Sequence, residues 1–164
     1  MTTLFESAEV RAKTAGRVVV MAWHRAPTAA AVRALEQHVA PHHDAYPDGV
    51  ALVVLPLGPP PDQGGREALD TMMRNIGRNV VAATAVLPIP GMKGKLIRTA
   101  ASGIVKTMRL PFGVKIADSG SAGAQHITTE MRARGLRGPS SDELAAVIAE
   151  IQQPLSVGTS AAQL

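Results

Sequence analysis

RVVVMAWHRAPTAAAVRALEQHVAPHHDAYPDGVALVVLPL, residues 17–57, decides the fold: an apolar run, a segment of helical period and a second apolar run follow one another with short breaks. RVVVMAW (Arg17 to Trp23) and VALVVLPL (Val50 to Leu57) are short and rich in β-branched residues, which is the signature of strands. Between them Ala29, Val32, Leu35 and Val39 recur at helical spacing, with Thr28 placed to cap the helix and Pro41 placed to stop it. Strand, helix and strand in this order make a βαβ unit with parallel strands. The second run is apolar nearly throughout, as a strand covered by helices on both faces must be.

The pattern repeats downstream. VVAATAVLPI (Val80 to Ile89) and FGVKIAD (Phe112 to Asp118) read as two more strands. DQGGREALDTMMRNIGRN offers Leu69, Met72 or Met73, and Ile76 on one helix face, with Gly77 at its end. Ile97, Ala100 or Ala101, Ile104 and Met108 form the expected buried stripe of a third helix that Pro111 ends. A fourth carries Ala124, Ile127 and Met131 before the turn GLRGP. A fifth opens on a capping box, Ser140 with Glu143, and runs through Leu144, Val147, Ile148 and Ile151 toward Pro154. Upstream of Arg17, Glu9 to Ala12 followed by TAGR reads as a hairpin that adds an antiparallel strand. The expectation is an α/β fold with a mainly parallel sheet of four to five strands, an N-terminal antiparallel strand and flanking helices. It occupies one domain over residues 1–153, with a loose polar tail over 154–164.

Composition sets further bounds. A chain of 164 residues can bury about two thirds of its unfolded surface around one core. Aromatic residues make up only 2%, so Val, Ile, Leu, Ala and Met must build that core. The absence of cysteine excludes a disulfide framework and thiolate metal sites. MTTLFESAEV has neither a basic nor an apolar leader region, and no apolar run approaches the roughly 18 residues that span a bilayer, so a cytoplasmic protein is expected. The net charge of +4 favours anionic partners.

GMKGK follows a strand and opens a helix, where backbone N–H groups of Gly91 to Gly94 can face an anion. It is not a Walker A loop, because Leu96 stands where a magnesium-binding hydroxyl is required. Beyond it, Lys95, Arg98, Ser102, Lys106 and Arg109 fall three or four residues apart and, with Lys93, make a basic stripe. Ile89 to Lys115 holds six lysines and arginines and no acid, whereas the whole chain has thirteen acids. An acidic protein partner fits this stripe; an anionic lipid headgroup or a phosphorylated ligand are the other occupants of the same chemistry. Nucleic acid is not expected, since stacking platforms are missing.

His42 and His43 beside Asp44 would need a third ligand such as His24 or Asp118 to hold a metal, and no metal-binding spacing exists, so neither metal nor cofactor is expected. No G-x-S-x-G motif, reactive cysteine or paired carboxylate is present, so the chain is expected to bind rather than catalyse. A second reading places a small-molecule or acyl-lipid pocket, with or without catalysis, around Trp23, His24, Gly91 and Gly94, although core or rim packing is the favoured reading for Trp23 itself. Homodimerisation through an edge strand or apolar helices is compatible with both readings.

The order of elements, from the leading hairpin into GRVVVMAWHRAPT, through DGVALVVLPLGPPPD and GREALDTMM, to FGVKIADSGSAGAQHI, resembles the STAS or anti-sigma-factor-antagonist-like family over about Glu9 to Met131. The resemblance implies a non-enzymatic regulatory or scaffolding domain that docks a partner. Phosphorylatable members carry a serine just after the strand matching Val50 to Leu57. Here that place reads LPLGPPPDQGG, with no hydroxyl to accept phosphate.

Overall fold

Central strands that are apolar on both faces force the architecture. The computed structural model describes residues 1–107 and 110–154. Among them lie six strands, β1 (Thr2–Glu6), β2 (Val10–Ala15), β3 (Val18–Trp23), β4 (Val50–Pro56), β5 (Val80–Val86) and β6 (Val114–Ala117). The helices are α1 (Ala29–Asp44), α2 (Gln63–Ile76), α3 (Gly91–Thr107), α4 (Gly120–Ala133) and α5 (Ser141–Gln152). All six strands form one sheet in chain order, β1-β2-β3-β4-β5-β6. The first three run antiparallel, β3 to β6 parallel.

β3 is buried at every position, and alternation sends its residues to opposite layers. Val19, Met21 and Trp23 meet Val32, Leu35 and Val39 of α1 and Met72 and Ile76 of α2. Val18, Val20 and Ala22 meet Ile127 and Met131 of α4 and Leu144, Ile148 and Ile151 of α5. The α4 layer sits close because the sheet beneath it is lined with small residues and α4 carries glycine where it crosses β5. A Cβ on Gly123 would lie 2.8 Å from the Val86 side chain.

Caps place the helix starts. Thr28 Oγ1 accepts from the Ala31 N–H at 3.2 Å, Asp62 from Gly65 at 2.8 Å and Ser119 from Ala122 at 3.1 Å. Ser140 and Glu143 form the reciprocal box, at 3.1 and 2.9 Å. Arg17 ties the entry of β3 to two distant turns: it donates to Asp48 at 3.0 Å, to the Gly49 carbonyl at 2.7 Å and to the Arg137 carbonyl at 2.8 Å.

Three expectations need correction. The sheet has six strands rather than four or five, because β1 was missed. Its residues TTLFE are exposed or half-buried, so no apolar run announces it, and its register slips between Thr3 and Phe5. Pro41 does not stop α1, which continues to Asp44. The carbonyl of Gln37 that loses its helical donor sits on an exposed residue, where water can replace the bond. The stripe expected to bury α3 is not a core face: Ile97 and Ala101 are half-buried and Ala100 is exposed. Met108 and the tail from residue 155 onward lie outside the described residues, as does the side chain of Ile104.

Leu35 is fully buried between α1 and the sheet. Leu35→Ala should cost about 2–5 kcal/mol, read as a lowered urea midpoint with an unchanged slope.

Candidate functional site

α3 is the helix least absorbed by the core. Among its described residues only Gly94 is buried, and the helix stands at the sheet edge beside β6. Met92 is 76% and Leu96 68% exposed, one helical turn apart on the outer face. Lys93, Lys95 and Lys106 are exposed too, and the helix carries no acid.

The helix is nevertheless anchored at its start. Gly91 takes φ +73°, in the left-handed region that favours glycine, and lets the chain turn from the β5 exit into α3. Gly94 rests directly on the loop before it: an added Cβ would meet the Ile89 carbonyl oxygen at 1.7 Å. Arg98 NH1 donates to the Leu87 carbonyl at 3.2 Å and the Ile89 carbonyl at 2.8 Å, satisfying two loop acceptors. Gly94 and Arg98, both expected to contact a ligand or partner, are thus engaged in holding the helix on the loop.

A cleft of about 380 Å³ opens between α3, β6 and the start of α4. Lys95, Arg98 and Ser102 line one wall, and Lys115, Asp118 and Ala122 the other. The structure brings together three of the expected stripe residues here. Lys115 was not among the expected site residues: it is remote in sequence, and only the parallel return of β6 beside β5 sets it facing α3. Its position in the acid-free stretch was the one signal available. Lys93 and Lys106 remain on the exposed surface, and Arg109 lies outside the described residues.

The residues of the second reading separate. Trp23 is 3% exposed and packed in the α1–α2 layer, so it lines no opening. His24, the next residue, borders a different cleft of about 420 Å³ at the carboxyl ends of β3, β4 and β5, walled by Pro56, Leu57, Leu87, Pro88 and Ile89. Burial pushes the His24 imidazole below its ordinary value, opposed by a hydrogen bond to the Ile151 backbone. Among the described residues its Nε2 is buried without a partner.

His42 and His43 point apart. His42 lies against the Tyr46 ring, centroids 5.2 Å apart. His43 turns inward and is 1% exposed, its Nδ1–H donating to the Ile76 carbonyl at 3.0 Å. Among the described residues, no group of three or more His, Asp or Glu side chains could hold a metal ion. No described helix is long and apolar enough to cross a membrane.

Compared with known proteins, the chain matches no protein-family model, no curated protein and no solved structure.

Two outcomes follow. Burial first, and neighbouring His42 further, pushes His43 below its ordinary value of 6.5, against the raising effect of its bond to Ile76. A group whose folded value is lowered takes up protons more readily when unfolded. Its contribution is therefore complete above about pH 6.5 and is lost as pH falls toward the folded value. The urea midpoint should drop between about pH 7.5 and pH 5, and the drop should shrink in His43→Gln. Arg98→Met should speed amide exchange in α3 while leaving α1 and α5 protected, since it frees the loop acceptors under one helix only.

Proposed function

We propose that this protein is a non-enzymatic regulatory or scaffolding module, STAS-like in its order of elements, that docks an acidic partner protein through the outer face of α3. The observation that carries the reading is the pairing of two large exposed apolar side chains, Met92 and Leu96, with three exposed lysines on one helix that holds no acid. An apolar anchor ringed by charge of one sign is what a complementary protein surface recognises: the anchor supplies affinity and the lysines steer encounter.

The element order supports the STAS-like part of the reading. A hairpin leads into β3, and the strands then follow in sequence with one helix between each parallel pair. The serine used as a switch in phosphorylatable members has no counterpart in the loop after β4, where Leu57 to Gly65 contains no hydroxyl. Partner choice would then rest on α3 rather than on modification of that loop.

The competing pocket beside His24 is less favoured. Open α/β sheets place ligands where the strand order reverses, and β3 to β6 run in unbroken order.

Comparative affinity capture from the native cytoplasm tests the reading. Wild type is set against Lys93→Glu/Lys106→Glu and against Met92→Ser/Leu96→Ser, with Lys95 and Arg98, which line the cleft beside β6, left intact. Both variants should fold to within about 0.5 kcal/mol of wild type, because every altered side chain is exposed. The same acidic partner should be retained by wild type and lost from both. Retention by either variant would overturn the assignment of this face.

A further inference from the structure

We propose that the cleft between α3 and β6 is a subsite for a phosphate monoester, presented as a phosphorylated side chain of the docked protein. The inference rests on the docking reading and adds the group that the partner must carry.

Three separate elements bring charge to the cleft. α3 supplies Lys95 and Arg98, β6 supplies Lys115, and Ala122 in the first turn of α4 borders the same space. The positive end of the α4 dipole therefore adds to the three cations. Among the described residues Asp118 is the one acid lining the cleft, leaving a formal excess of two positive charges, three cations less one carboxylate. A phosphate monoester carries about −1.5 to −2 at pH 7, whereas a glutamate or aspartate side chain carries only one charge. The cleft matches the first and leaves an unneutralised cation with the second.

The donors suit a phosphoryl group as well. Arg98 spends NH1 on the Leu87 and Ile89 carbonyls, which fixes its guanidinium in place at the cleft wall. Lys95 and Lys115 bring compact ammonium groups from opposite walls, and Ser102 lines the wall that carries Lys95. Among the described residues, neither lysine forms an ion pair. Beyond the cleft, His126 and Glu130 of α4 also feel the charge of Lys115. It helps to lower both, after burial in the case of His126 and after the Arg134 hydrogen bond in the case of Glu130.

Titration of the full chain at low salt, followed by amide shifts, tests this. The probes are a short phosphoserine peptide, its aspartate counterpart and inorganic phosphate. The phosphoserine peptide should give saturable shifts confined to Lys95 to Ser102 and Lys115 to Ala122. Its affinity should exceed that of the aspartate peptide by about tenfold and fall about tenfold in Lys115→Met, as expected for one charged hydrogen bond. Lys95→Met serves as the second variant should β6 be disturbed. Equal binding of the two peptides, unchanged binding in both variants, or shifts spread over the outer face of α3 would overturn the proposal. Inorganic phosphate binding as tightly as the peptide would overturn its partner-borne source. Lys115 lies outside the outer face of α3. Failure here therefore leaves dependence of capture on Met92 and Leu96 intact, and loss of that dependence leaves this titration unaffected.

Discussion

The β3–β4 pair is the constraint from which the rest of the structure follows. From Val18↔Ala51 to Trp23↔Pro56 the two strands run parallel in unbroken register, and nearly every side chain on them is buried. A parallel pair of this kind cannot face water on either side, so helices must cover both. α1 and α2 come from the crossovers and supply one layer; α4 and α5, placed after the last strand, supply the other. Helix-bearing layers on both faces leave only the margins of the sheet free for anything else, and α3 occupies one of them.

That position accounts for the division of labour within α3. Gly94 and Arg98 bind the helix to the loop leaving β5, through close backbone approach and two carbonyl acceptors. Met92, Leu96 and the exposed lysines have no such duty. A helix fixed at its start while leaving one face bare can meet another surface without first reorganising. Little ordering entropy is then lost on contact.

The sequence was most legible where burial was most complete. Continuous apolar runs revealed β3, β4 and β5, and side-chain chemistry alone located the caps at Thr28 and Ser140. β1 escaped because its register against β2, not its hydrophobicity, makes it a strand. The stripe Ile97, Ala100 and Ala101 showed that α3 has an apolar face, but periodicity cannot say whether anything lies against it. Pro41 misled because a proline near the end of a helix removes a bond that water can replace. The basic stripe was readable as a spacing, yet its meeting with Lys115 depends on a crossover, and Arg98's attachment to the loop depends on where that loop turns. Trp23, for which packing was the favoured reading over a place beside a pocket, follows the alternation of β3 into the α1–α2 layer.

A sheet laid out in one unbroken order must end twice, and among the described residues each end is a row of amide groups with no neighbouring strand. Here one margin is a five-residue strand whose register slips after Thr3, and the other is a four-residue strand carrying Lys115. Slippage, brevity and charge are three separate obstacles to a stray strand seeking a flat ladder to extend. Resistance to uncontrolled polymerisation is thus written into the margins of the sheet, independently of the core that holds it together.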